Sequence, residues 1–174
     1  DLTNQLLDFR KTEAQGFQLN FMICDISQLI KDTYIRFDPA AKQNDLTFKI
    51  GLPEQNFNAA VDKEALTKIL SNLFNNAVKY AKSYIHVSLH APTDEQNDFF
   101  SITVSNDGLP IPVEMKEKIF EPFVQIKNVS NGQTKTGTGI GLPLARSLTE
   151  LHRGKLYLKD SDDICFCIEL PIKQ

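Results

Sequence analysis

The sequence predicts an α/β two-layer sandwich in which a mixed, mostly antiparallel sheet is covered on one face by helices. Three observations predict it. Short stretches of alternating apolar residues, such as Ile85, Val87, Leu89 and Phe100, Ile102, Val104, are interleaved with longer stretches whose apolar residues repeat at helical spacing. Several neighbouring strands are joined by connections too short for a crossover helix, which makes them antiparallel. With 174 residues, 41% hydrophobic and 24% charged, the chain supports the one main core that such a sandwich buries.

The elements follow in order. Leu2, Leu6 and Phe9 have helical spacing in residues 1–11, a length that would not stay helical alone and reads as the end of a longer helix. Residues 11–16 have no apolar period and form a linker, with a short strand around Phe17 to Met22 beyond it. Asp25 and Gln28 have capping-box spacing, and Ile26, Leu29, Ile30, Tyr34 and Phe37 then share one face of a core helix to about Ala41. Leu46, Phe48 and Ile50 alternate as a strand, Gly51-Leu52-Pro53 turns the chain, and Phe57 to Val61 is a second short strand. Asp62 caps a helix from Lys63 to Ala81, and the two alternating stretches after it form a hairpin about the polar loop Pro92 to Asp98. A loop rich in proline and a short helix near Val113 to Ile119 come next. The last helix runs from Leu142 to His152, with Leu144, Leu148 and Leu151 on one face and Gly154 as its stop. Strands Lys155 to Lys159 and Ile164 to Leu170 close the chain.

Composition excludes several classes. The longest stretch without a charged residue is 11 residues, well short of the ~18–20 that span a bilayer, so neither a membrane span nor a signal peptide is expected within these residues. A formal charge of -3 argues against a nucleic acid partner held through its phosphates over a broad surface, so any phosphate is bound locally. Three cysteines is an odd number, and Cys165 and Cys167 lie side by side on one strand face rather than poised to bridge, which favours a reducing, cytoplasmic setting.

Four local features carry chemistry. Asn72, Asn75 and Asn76 sit in mid-helix although Asn is a poor helix former. At ~100° per residue, Asn72, Asn76 and Lys79 fall within about 60° of one another, with Tyr80 at the edge, beside the core face of Leu66, Ile69, Leu70, Leu73 and Ala77. Two amide oxygens one turn apart with a lysine beyond them suit a hydrated hard cation and the phosphates it bridges; a solvated polar face is the alternative. Asn106 shares strand parity with Phe100, Ile102 and Val104, so its side chain points to the covered side, where the edge of a base could partner it. Gly108 permits close backbone approach, and an ordinary Asx turn is the other reading of this segment. Phe120-Glu121-Pro122-Phe123 leads into Val124 to Thr136, whose Lys127 and Lys135 are unopposed by acids, so that this loop suits closure over polyphosphate or is simply a polar surface loop. Gly137-Thr138-Gly139-Ile140-Gly141-Leu142 precedes a helix, where exposed amides bind phosphate, although its G-x-G-x-G spacing matches neither the dinucleotide nor the P-loop fingerprint.

In this order the four features resemble the catalytic, ATP-binding domain of sensor histidine kinases, within the superfamily shared with gyrase B, Hsp90 and MutL. Residues 72–80 resemble its asparagine box, Asn106-Asp107-Gly108 its first glycine box, Phe120 to Phe123 its phenylalanine box and Gly137 to Leu142 its second glycine box. Leu151-His152-Arg153-Gly154 matches the usual end of the last helix, so the resemblance covers about Asp25 to Pro171. It implies a chain organised as the end of the second dimerisation helix and a linker in residues 1–15, then a catalytic ATP-binding domain in residues 16–174. Asn72 and Asn76 would carry Mg2+ and triphosphate, Lys79 would reach phosphate, Tyr80 would lie near the nucleotide, and Val124 to Thr136 would be the ATP lid. The ATP-binding set it implies is Asn72, Asn76, Lys79, Tyr80, Asn106, Gly108, Ile111, Phe120, Phe123, Lys135 and residues 137–142.

Two positions depart from the pattern. Asn106 stands where the family has the aspartate that accepts from the adenine amino group; its amide oxygen still accepts, but its amide nitrogen can donate to a guanine carbonyl. Pro110 replaces the second glycine of the first box. Asn72 stands where gyrase-like relatives carry a water-activating glutamate, which opposes a gyrase- or Hsp90-like ATPase and favours phosphoryl transfer. The remaining alternative is a degenerate nucleotide-binding module that regulates without transfer.

The resemblance also implies an acceptor histidine on an upstream helical segment. His86 and His90 read as surface residues about 13 Å apart on a strand, and His152 as a cation at a helix C-terminus, so none of the three is expected to be that acceptor. The implied partners are the chain's own dimerisation segment, a second copy in a homodimer and the receiver domain of a response regulator. The implied parent is a membrane-anchored two-component sensor, or a hybrid carrying its own receiver, with this domain in the cytoplasm.

Overall fold

The computed structural model describes residues 1–14, 16–126 and 137–174. In chain order its elements are α1 (Leu2–Glu13), β1 (Met22–Asp25), α2 (Ile26–Gln43), β2 (Thr47–Gly51), β3 (Asn58–Val61), α3 (Lys63–Tyr80), β4 (Tyr84–His90), β5 (Phe99–Asn106), α4 (Gly141–Leu151), β6 (Lys155–Leu158) and β7 (Ile164–Pro171). Five strands form one sheet in the order β2-β4-β5-β7-β6; only the β2–β4 pair is parallel. β1 and β3 make a separate antiparallel pair. This is the expected mixed, mostly antiparallel sandwich.

Alternation sorts the sheet's two faces. Phe48, Ile85, Val87, Leu89, Phe100, Ile102, Val104, Ile168 and Leu170 point inward and are buried against α2, α3 and α4. The opposite face carries His86, Ser88, His90, Ser101, Thr103 and Ser105, and both strand histidines are exposed. Cys165 and Cys167 lie on that second face, both buried and free, and burial pushes both thiols up.

Capping residues start the helices where the sequence places them. Asp25 accepts from the Gln28 amide at 3.0 Å and Asp62 from the Ala65 amide at 2.9 Å. The second arm of the capping box is not made, because the Gln28 side chain donates to Asp32 instead. α1 packs against α4, its Phe9 is buried, and Asp8 meets Lys68 of α3 at 2.9 Å.

Four local expectations are corrected. The strand expected at 17–22 lies at Met22–Asp25, because it forms only where β3 offers a partner; Phe17 and Leu19 pack on the core from irregular chain. The short helix expected at 113–119 is two single 3-10 turns, Val113–Met115 and Lys118–Phe120. Gly154 is not the left-handed stop of α4: Arg153 takes that conformation at φ 60°. The Gly154 amide reaches the Thr149 carbonyl at 3.0 Å and the Arg153 amide the Glu150 carbonyl at 2.8 Å, a Schellman closure. Glycine is required at 154 for another reason, since a Cβ there would stand 2.2 Å from the Glu169 carbonyl oxygen on β7.

His152 is the fourth. It is not a solvated cation but a fully buried strut. Its Nε2 accepts from the Asp62 amide at 3.1 Å, which leaves Nδ1–H to donate to the Leu148 carbonyl at 2.7 Å. Burial disfavours its charged form and pushes its pKa down, against the opposing pull of the Leu148 carbonyl and Asp62. The neutral ring thus joins the end of α4 to the start of α3.

Candidate functional site

The site forms around the C-terminal half of α3. That helix is anchored by Leu66, Ile69, Leu70, Leu73 and Phe74, all with no exposed surface, so its core face fixes the rotation of every other position. Asn72, Asn76 and Lys79 are thereby held half-buried on the neighbouring face, while Asn75 is exposed. Burial of the apolar face offsets the poor helix propensity of the three asparagines, about 0.7 kcal/mol each at most.

The glycine-rich turn before α4 comes to the same place. A Cβ on Gly141 would stand 3.1 Å from Asn72 Oδ1, and one on Gly137 would stand 2.8 Å from Lys79 Nζ. Lys79 Nζ also lies 5.0 Å from the centre of the Tyr80 ring. Gly139 takes φ +70°, where a side chain would be strained and its Cβ would meet Phe123 Cα at 2.7 Å. Its carbonyl accepts from the Phe123 amide at 2.8 Å, which ties the phenylalanine segment to the turn. Gln125 donates to the Gly137 carbonyl. Thr138 Oγ1 accepts from the Ile140 amide at 3.3 Å, and Ile140 itself is fully buried, pinning the turn to the core. α4 then begins without a side-chain cap from Ile140, and with Pro143 lacking an N–H it is the amides of Gly141 and Leu142 that are left for another acceptor.

Phe120 is buried, its ring packed edge-on to Phe166 at 6.1 Å with the Arg146 guanidinium 4.5 Å from its centre, whereas Phe123 is 68% exposed at φ 65°. Ile111 and Leu142 are half-buried at the edge of the core. Lys127 and Lys135, expected in the lid, lie outside the described residues.

At the end of β5, Asn106 is 3% exposed and its Nδ2 has no hydrogen-bond partner, the only such buried side-chain atom among the described residues. A Cβ on Gly108 would lie 2.8 Å from that nitrogen and 2.7 Å from the Tyr80 carbonyl oxygen, so glycine there keeps open the space between β5 and the end of α3. Asp107 serves differently. Its Oδ1 accepts from the amides of Lys82 and Ser83 at 3.0 Å each and Tyr84 at 3.2 Å, and the Ser83 hydroxyl donates to Oδ2. Burial works against its charge, but the Ser83 hydroxyl and the three amides outweigh that and hold its carboxyl far below the usual range.

Gln5 of α1 is a site neighbour that sequence reasoning missed. Its Nε2 donates to Asn72 Oδ1 at 3.1 Å and its Oε1 accepts from the Thr138 hydroxyl at 3.0 Å. No local signal marks it, because the contact exists only once α1 has docked. Among the described residues no group of three or more His, Cys, Asp or Glu is placed to hold a metal.

Residues 61–174 match the family described as histidine kinase-, DNA gyrase B- and HSP90-like ATPases, and the chain belongs to that family. It is 34% identical over 97% of its length to the sensor histidine kinase TmoS of Ectopseudomonas mendocina and 31% identical over 98% to histidine kinase P4 of Formosa agariphila. It spans only 17% and 13% of those proteins. Among solved structures, the catalytic domain of histidine kinase ThkA superposes with a TM-score of 0.77 at 25% identity, covering 89% of this chain and 97% of that domain. ThkA in complex with its response regulator protein TrrA superposes at 0.76 over 98% of this chain and 48% of the kinase, with an identity of 21% that speaks for the fold alone. Among the described residues no helix is long and apolar enough to cross a membrane.

Proposed function

We propose that the chain binds Mg-ATP and donates the γ-phosphate to a histidine on a helical dimerisation segment, as the kinase domain of a two-component sensor. One observation carries this reading: motifs spread from residue 72 to residue 142 converge on one end of α3, next to a buried amide with no partner in the protein. The residues fit the nucleotide. Asn106 offers a base an otherwise unsatisfied hydrogen bond, and Gly108 keeps the backbone clear beside it. Gly137, Gly139, the uncapped start of α4 and Lys79 cradle the phosphates.

Asn72 and Asn76 would hold Mg2+, which when bound would supply positive charge to neutralise the nucleotide's phosphates. Lys79 and the α4 amides would hold those oxygens in a fixed array, so catalysis is positioning and electrostatic stabilisation. Lys127 and Lys135 of the proposed lid would add positive charge and exclude water. Asn72 cannot take a proton from water, so hydrolysis is disfavoured and the phosphoryl group waits for a better nucleophile. α1 and residues up to 15 would be the end of the second dimerisation helix and its linker, packed on the domain through buried Phe9 and the Asp8–Lys68 ion pair.

A response regulator receiver and a second copy of the chain would be the partners, and the parent a membrane-anchored sensor. The test mixes the chain with γ-labelled ATP, Mg2+ and the parent's own dimerisation segment. Acid-labile, alkali-stable label on that segment is expected. Tight nucleotide binding without transfer would replace the kinase by a regulatory nucleotide-binding module.

A further inference from the structure

We propose that the base pocket accepts 6-oxopurine nucleoside triphosphates, of the guanine and hypoxanthine kind, as readily as ATP, with Asn106 as the residue that sets this tolerance. The inference rests on the nucleotide-binding reading above and goes beyond it to the choice of base. Asn106 is 3% exposed, so water cannot easily serve its Nδ2, and no protein acceptor does. The neighbouring carboxylate is not available to read a base either, since the amides of residues 82–84 and the Ser83 hydroxyl occupy Asp107. The only side chain of the Asn106-Asp107 pair left to face the base is therefore an amide with one donating end and one accepting end.

Such an amide matches two different base edges. Adenine presents a donor at N6 beside an acceptor at N1; the Asn106 oxygen accepts from the first and its nitrogen donates to the second. Guanine and hypoxanthine present an acceptor at O6 beside a donor at N1, and the same amide turned by half a revolution pairs with both. The turn exchanges two atoms of nearly equal size, so the pocket need not change shape. A carboxylate lined up with position 6 of the purine accepts from the adenine amino group but repels O6, which is how it would reject 6-oxopurines. An amide loses that rejection because neither base leaves a buried polar atom unpaired.

The test is displacement of a ribose-labelled fluorescent ATP by ATP, ITP, GTP and CTP, on the whole chain and on Asn106→Asp. ITP isolates the O6 contact from any crowding by the guanine amino group. In the wild-type chain, ATP and ITP are expected to compete within about tenfold of each other, and CTP far more weakly. In Asn106→Asp, whose folding is checked by circular dichroism, the preference for ATP over ITP is expected to rise at least about tenfold, the consequence of one unpaired buried group. A wild-type preference for ATP over ITP beyond about a hundredfold overturns the proposal whether or not the variant folds. An unchanged ratio in a folded Asn106→Asp overturns it too. Failure of the fluorescent ATP itself to bind would instead sink the nucleotide-binding reading, a different and distinguishable result.

Discussion

Replacing Asp107 by Ala should cost the fold about 3 kcal/mol at neutral pH, and the cost should shrink in acid. The carboxylate accepts three backbone amides at 3.0, 3.0 and 3.2 Å and one hydroxyl, and together these close the turn from α3 into β4. Hydrogen bonds to a charged acceptor are worth about 1.5–3 kcal/mol each, but this turn is partly open to water, which re-solvates some released donors; counting about half of the set gives about 3 kcal/mol. The folded pKa lies below the unfolded one, so the contribution is complete above the unfolded value near 3.9 and is lost as pH falls through the folded value. At pH 3 the unfolded chain has already bound most of one proton, which takes about 1.3 kcal/mol from the wild-type advantage. Urea denaturation of both proteins at pH 7 and pH 3 measures this. A variant within about 0.5 kcal/mol of wild type at pH 7, or a gap that does not narrow in acid, would refute the assignment of Asp107 to the turn and reopen it as a base reader.

Three further outcomes follow from other contacts. His152→Ala should lose about 2–4 kcal/mol, because it empties a fully buried site and orphans the Asp62 amide. Since the folded pKa of His152 lies below the unfolded value near 6.5, its contribution is complete above about pH 6.5 and fades as pH falls below it; wild-type stability should therefore drop from pH 7 to 5 more steeply than the variant's in thermal melts. Gln5→Ala removes the donor that occupies Asn72 Oδ1 and should tighten Mg-ATP binding about two- to tenfold by calorimetry; weaker binding would show that Gln5 supports the site rather than competes for it. Gly154→Ala puts a Cβ 2.2 Å from the Glu169 carbonyl and should cost about 1–3 kcal/mol in chemical denaturation, a price that an unchanged midpoint would contradict.

What the sequence determined by itself is what depends on neighbours along the chain. The caps at Asp25 and Asp62, the apolar faces of α2, α3 and α4, the β4–β5 hairpin and the parity that buries Asn106 follow from periods of 3.6 and 2 and from local hydrogen bonding. The order of the asparagine, glycine and phenylalanine segments was legible for the same reason, since each is a short run with its own signature. Tertiary structure decided what needs a distant partner. β1 starts at Met22 because β3 lies opposite it, and no apolar period encodes that register. His152 is neutral because α3 places the Asp62 amide against a ring 90 residues away and removes it from water. Asp107 is bound to the turn rather than the pocket, and Gln5 reaches Asn72 across 67 residues, only once the helices have packed. Whether a polar side chain is solvated, satisfied or left waiting for a ligand depends on what the fold sets opposite it, and no local pattern in the sequence records that.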